Sequence, residues 1–124
     1  MILVVDDERH IRNLVRLLVE RAGYRVAEAE DAEDALRMLQ ERMLEPQLLL
    51  TDIVMPGMSG LTLAARAHQL RPTLPVMFMT GFADEYQAEL SGSVVIRKPF
   101  KAPELLTAIQ DVIGPPHRAL EGTS

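Results

Sequence analysis

Cysteine is absent from this 124-residue sequence, which excludes disulfide bonds, thiolate zinc sites and cysteine nucleophiles. Long apolar runs are absent too, since the longest are of strand length, well short of the roughly 20 residues that a membrane-spanning helix needs. No signal peptide opens the chain. We therefore expect a cytoplasmic protein that makes no use of a membrane.

Positive charge and glycine-rich loops are also scarce. The formal net charge is −5 and no basic stripe is present, so direct binding to nucleic acid is not expected. Neither G-x-G-x-x-G nor G-x-x-x-x-G-K-[ST] occurs, which argues against a nucleotide-binding switch. The histidines at positions 10, 68 and 117 have no mutual spacing or acidic partner that indicates a site.

The overall composition is typical of one globular domain, with 48% apolar and 25% charged residues. Five apolar segments of strand length are predicted at 2–5, 24–29, 48–52, 75–79 and 94–96. Helical patterns follow them, at 9–22, from the capping Asp31 to Met43, at 59–70, at 83–90, and from Pro103 to Ile113. This alternation predicts a parallel sheet covered on both faces.

Chemically distinctive residues stand at the ends of four predicted strands: Asp6 and Asp7, Asp52, Thr80, and Lys98. Parallel strands bring their carboxyl ends to one edge, where open α/β sheets bind ligands. Asp52 alone would be explained equally well as a turn residue. The whole set favours a shared site.

Charge indicates what such a site would hold. Two carboxylates a few Å apart repel by about 1 kcal/mol in water and about 4 kcal/mol at an effective dielectric constant of 20, so three together require a cation. Mg²⁺ suits hard oxygen ligands and phosphate oxygens. Lys98 and Thr80 would suit a phosphoryl group, and a carboxylate can itself accept one.

These motifs resemble the receiver domain of two-component response regulators. The resemblance covers about residues 2 to 113 and is carried by segments 6–8, 52–60, 80–81 and 98–100. It implies a flavodoxin-like (βα)5 doubly wound sheet with strand order 2-1-3-4-5. We expect a receiver domain at 1–114 and a flexible tail at 115–124, with no output domain.

The resemblance also implies roles for individual residues. Asp52 would accept phosphate from a histidine kinase or a histidine phosphotransfer protein, and Thr80 and Lys98 would contact the phosphoryl oxygens. Mg²⁺ would be held by Asp7, Asp52, the backbone carbonyl of Val54 and, through water, Asp6. The Lys98-Pro99 bond would be cis. The domain would be a signalling module that controls a downstream protein, not an enzyme, although it takes part in its own phosphorylation and dephosphorylation.

Other interpretations stay open at this point. A haloacid dehalogenase-type phosphatase needs a second Asp two residues after the first, and that position is Val54. A receiver fold kept only as an interaction module has no need of all five site residues. The chain is either a stand-alone regulator or a receiver from a larger protein such as a hybrid histidine kinase.

Two surfaces are expected to take part in signalling. By the resemblance, part of Ile11, Leu14, Pro99 and Phe100 docks the histidine-bearing partner. Most receivers have an aromatic residue three positions before the lysine, and here that position is Val95. The signal is therefore predicted to leave through the backbone after Thr80, with Phe82 and Tyr86 as output contacts.

Overall fold

The computed structural model describes residues 1–41 and 44–116. The strands are β1 (Ile2–Val5), β2 (Val26–Ala29), β3 (Leu48–Asp52), β4 (Val76–Thr80) and β5 (Val94–Arg97). The helices are α1 (Arg9–Arg21), α2 (Ala32–Gln40), α3 (Gly60–Leu70) and α4 (Ala102–Ile113). All strand pairs are parallel and the strand order is β2-β1-β3-β4-β5. The predicted flavodoxin-like order is confirmed.

Both faces of the sheet are buried because side chains alternate along each strand. In β1, Ile2 and Val4 belong to one apolar cluster, which includes Val15 of α1 and Leu105 of α4. Leu3 and Val5 belong to the opposite cluster, together with apolar residues of α2 and α3. This two-sided burial explains why β1 is apolar throughout and why its first polar residue marks its end.

Local capping fixes where the helices begin. The Asp31 carboxylate accepts the Asp34 N–H at 2.7 Å at the start of α2, and the Ser59 hydroxyl accepts the Thr62 N–H at 3.2 Å at the start of α3. At the start of α4, the Glu104 carboxylate reaches back to the Lys101 N–H at 3.1 Å. These bonds satisfy backbone donors that the first helical turn leaves unpaired.

The helix predicted at 83–90 is wrong, because the described segment between β4 and β5 consists of turns. Its bonds mix two spacings, Tyr86 N–H to Ala83 carbonyl at 3.3 Å and Leu90 N–H to Tyr86 carbonyl at 2.9 Å. Within 83–90 only Leu90 is buried, with 7% of its surface exposed. A segment with so little apolar surface to bury does not gain enough from packing to hold a regular helix.

Four strand bounds also differ from the prediction, two of them by one residue at the start of β4, Val76, and at the end of β5, Arg97. Strand β2 begins at Val26, since the Tyr24 N–H still bonds the Val19 carbonyl at 3.2 Å as part of the turn that ends α1. Strand β4 extends to Thr80, which places the Thr80 side chain within the sheet. Met43, His117 and most of the predicted tail, 117–124, lie outside the described residues.

The helices within 1–41 and 44–116 are all too short or too polar to span a bilayer.

Candidate functional site

The sheet brings the predicted site residues to one edge. Asp6 and Asp7 directly follow β1, Asp52 ends β3, Thr80 ends β4, and Lys98 directly follows β5. These strands are neighbours in the sheet, and their registers pair Val5 with Thr51, Asp52 with Met79, and Thr80 with Arg97. Residues up to 92 positions apart in sequence therefore meet at one site.

Lys98 joins two of the carboxylates. Its ammonium nitrogen lies 2.9 Å from Asp6 Oδ2 and 3.2 Å from Asp52 Oδ2. The three side chains are 16%, 0% and 8% exposed, so the group is largely desolvated. Burial acts to lower the pKa of Lys98, but the hydrogen bonds and charges of Asp6 and Asp52 outweigh it and the pKa is raised.

The Asp52 carboxylate is buried and is held in one orientation by the backbone. Its Oδ1 accepts the Ile53 N–H at 2.7 Å, which fixes the rotation of the carboxylate. Burial raises the pKa of Asp52, and the charge of Asp6 adds to this, although Lys98 and the Ile53 N–H oppose it. The structure thus places this carboxylate where its charged form is costly, which is typical of functional sites.

The donor set at this edge fits a hard divalent cation. Asp6, Asp7 and Asp52 each offer a carboxylate oxygen, and these oxygens lie within 4.8 Å of one another. Asp7 is exposed, whereas Asp6 and Asp52 are buried. Oxygen donors with an exposed side are what Mg²⁺ prefers, because it retains several waters. Val54 lies in the segment after β3 with its side chain 45% exposed, and its carbonyl as a ligand stays a prediction.

Thr80 is completely buried, and its hydroxyl oxygen accepts the Phe82 N–H at 2.9 Å. The Thr80 carbonyl accepts the Lys98 N–H at 2.9 Å. One bond runs from the side chain to the β4–β5 connection and the other from the backbone to the lysine. A displacement of the Thr80 hydroxyl would therefore act on Phe82 first. The Lys98-Pro99 peptide is cis, as predicted.

Sequence reasoning missed the packing role of Gly60, the first residue of α3. A Cβ atom built there would lie 1.9 Å from the Asp52 carbonyl oxygen. The Gly60 N–H also bonds the Ile53 carbonyl at 2.8 Å. Only glycine permits this approach of α3 to the end of β3. A glycine directly after the capping Ser59, where better helix formers are available, was the sequence signal.

Comparison with known proteins identifies one family. The family model for the response regulator receiver domain matches residues 2–110. The response regulator receiver protein CpdR of Brucella abortus is 38% identical over 117 residues, which cover 90% of this chain and 95% of CpdR. The phosphate regulon transcriptional regulatory protein PhoB of Pseudomonas aeruginosa is 34% identical over 118 residues, 90% of this chain but only 51% of PhoB. This chain thus spans about half the length of PhoB.

A solved structure shows the same fold. The response regulator protein TrrA of Thermotoga maritima, determined in complex with Mg(2+)-BeF, superimposes with a TM-score of 0.80 at 29% identity, covering 90% of this chain and 96% of TrrA.

Proposed function

This chain belongs to the response regulator receiver domain family, and from that premise we propose that Asp52 is the residue that accepts its phosphoryl group. Receiver domains are signalling domains of two-component systems, and they interact with histidine kinases and effector domains. The observation that carries the assignment is the position of Asp52. Asp52 ends β3, the central strand of the sheet, so it lies between the acidic residues that follow β1 and Thr80 at the end of β4, and its Oδ2 contacts Lys98.

In the proposed reaction an oxygen of Asp52 forms a bond to phosphorus while the bond between phosphorus and the partner's histidine nitrogen breaks. The electron pair of the broken bond returns to the imidazole ring. Lys98, which now pairs Asp6 and Asp52, would shift to the phosphoryl oxygens and neutralise their charge. The buried Thr80 hydroxyl would donate to another of these oxygens. Hydrolysis of the bond between the Asp52 oxygen and phosphorus would return the domain to its resting state.

The acidic cluster would hold Mg²⁺ in this proposal, with Asp7 and Asp52 as direct ligands, Asp6 through a water, and the Val54 carbonyl completing the protein ligands. When bound, Mg²⁺ supplies positive charge that stabilises the phosphoryl oxygens. Among the described residues, Lys98 pairs with Asp6 and Asp52 but not with Asp7, so the charge of the three carboxylates is only partly neutralised without a cation. Asp6 would keep its pairing with Lys98 and so orient the lysine toward the phosphoryl group.

The partner surface is proposed to lie beside the site. Leu14 and Pro99 are exposed, while Ile11 and Phe100 are half-buried against the core below α1 and α4. This arrangement would provide a small apolar surface for a histidine-bearing helix, with Pro99 and Phe100 directly after Lys98 in the chain. The histidine kinase or phosphotransfer protein, the downstream target, the cytoplasmic location and the domain end at residue 114 stay predictions.

Intact-mass measurement tests the assignment of Asp52. The protein is incubated with acetyl phosphate and Mg²⁺, and we expect one phosphate on the unaltered chain. Asp52→Asn should carry none. Asp84→Asn removes an exposed carboxylate that pairs only Arg97 among its described contacts, and it should be labelled like the unaltered protein. An undiminished adduct on Asp52→Asn would refute the proposal.

A further inference from the structure

Arg12 of α1 contacts the acidic turn, residues 6–8, which follows β1. Its Nη1 donates to the Asp6 backbone carbonyl at 2.8 Å, and its Nε donates to Glu28 Oε1 of β2 at 3.1 Å. The side chain is 14% exposed. One planar group therefore joins the turn that carries two site carboxylates to the neighbouring strand.

Other bonds hold the acidic turn on either side of the peptide between Asp6 and Asp7. The Asp6 N–H bonds the Ala29 carbonyl at 3.3 Å, and Asp6 Oδ1 accepts the Glu8 N–H at 2.9 Å. The first bond holds the turn before Asp7, and the second, together with the bond from the Arg12 N–H to the Glu8 carbonyl at 3.0 Å, holds it after Asp7. The peptide group that links Asp6 to Asp7 is held by the Arg12 guanidinium through that carbonyl. The orientation of this peptide decides where the Asp7 side chain begins, and Asp7 itself is exposed.

We propose that Arg12 is a positioning residue for the metal site, acting on Asp7 through the Asp6 carbonyl and not as a ligand. The inference rests on the proposed Mg²⁺ site. An exposed carboxylate samples many positions, and fixing the peptide group that carries it lowers the entropy lost when the cation binds. Hydrogen-bond partners that orient metal ligands are commonly worth about 10- to 100-fold in metal affinity.

Arg16 offers a matched control for a purely structural role. Its Nε lies 3.2 Å from Glu28 Oε2, so it neutralises the same carboxylate and also ties α1 to β2. Arg12 has in addition the bond to the acidic turn. If Arg12 only anchored α1, then loss of either arginine would have the same consequences.

The test is a Mg²⁺ titration followed by amide chemical shifts, on Arg12→Gln, Arg12→Lys and Arg16→Gln. Arg12→Gln should raise the Kd for Mg²⁺ by about tenfold. Arg16→Gln should leave this Kd unchanged. Arg12→Lys retains one donor and the charge, and it should give an intermediate value. Thermal unfolding without Mg²⁺ should show a lower Tm for both Arg12→Gln and Arg16→Gln, with the larger decrease in Arg12→Gln, which also loses the bond to the Asp6 carbonyl.

Phosphorylation by acetyl phosphate gives a second measure. Arg12→Gln should need more Mg²⁺ for half-maximal labelling but reach the rate of the unaltered protein at saturating Mg²⁺. An unchanged Kd in Arg12→Gln, or an equal loss in Arg16→Gln, would overturn the inference. If Arg12→Gln does not fold, Arg12→Lys decides by the same comparison with Arg16→Gln. Failure of the proposed function would look different, because the unaltered protein would then carry no phosphate on Asp52.

Discussion

Replacement of Lys98 by Met should destabilise the unphosphorylated, metal-free domain strongly. Lys98 is the cation between two buried carboxylates, at 2.9 Å from Asp6 and 3.2 Å from Asp52. Met retains the apolar stem but leaves both charges without this partner. Removal of one member of a buried ion pair typically costs about 3–5 kcal/mol. We expect about 3 kcal/mol, since Lys98 is 16% exposed and water can reach part of the space.

The pH dependence of this loss identifies its cause. The raised pKa of Lys98 means that its stabilisation is complete below the ordinary lysine pKa and is lost only as pH rises through the raised value. In Lys98→Met the two contributions of Lys98 that lower the pKa of Asp52 are gone, so that pKa rises further. Asp52 then protonates at a higher pH, and the cost of its buried charge disappears. The stability difference from the unaltered protein should therefore shrink as pH falls toward about 4.

Urea unfolding at neutral and acidic pH measures the effect, and a thermal scan should show a Tm lower by roughly 10 °C at neutral pH. The adjacent Arg97→Met is the matched control, because Arg97 and its partner Asp84 are 68% and 84% exposed. That pair should contribute less than about 1 kcal/mol. Mg²⁺ should stabilise Lys98→Met more than the unaltered protein. A stable Lys98→Met variant, or a loss that is equal at both pH values, would refute the reasoning.

Further predictions concern the neighbours of this group. Asp7→Ala should abolish Mg²⁺ binding in a titration. Because Asp7 is exposed, the same variant should change the unfolding free energy by no more than about 0.5 kcal/mol. Substantial destabilisation would show that Asp7 has a structural role. Gly60→Ala should lower the unfolding free energy by about 1–3 kcal/mol in urea unfolding, because its Cβ would meet the Asp52 carbonyl. Gly81→Ala is the control and should leave the unfolding free energy unchanged, because a Cβ there has nothing within 4 Å. Equal losses in the two variants would contradict this reasoning. Beryllofluoride should shift amide resonances at 80–90 more than those around Val95, and Thr80→Ala should remove most of that change; shifts centred on β5 would exclude this route.

The sheet was predictable because its determinants are local. Continuous apolar segments such as 48–52 are buried on both sides, and each ends where a polar residue begins. Parallel pairing then places Asp6, Asp52 and Thr80 at one edge whatever the exact register. The candidate site follows from the order of strand ends, and so it was accessible from the sequence together with the resemblance.

The contacts that hold the site residues in place were not predictable, because they depend on distances between residues that are far apart in the sequence. Arg12 bonds the carbonyl of Asp6, and Glu28 enters that contact only once β2 lies beside β1. On the sequence alone, Arg12 is one of several charged residues in an amphipathic helix. The approach of Gly60 to the Asp52 carbonyl is likewise a consequence of how α3 packs on β3.

The wrong helix prediction at 83–90 has a functional meaning when it is combined with the Thr80 contact. The pattern was weak because the segment has few apolar residues, and the same shortage leaves it as turns with mixed hydrogen-bond spacing. Phe82, which directly precedes this segment, is connected to the site by the bond from its N–H to the Thr80 hydroxyl, and it is 49% exposed. A segment with little packing energy can be rearranged at low cost. If the Thr80 hydroxyl turns toward a phosphoryl group it releases Phe82, so the element that the sequence specifies least is the one the proposed signal reaches first.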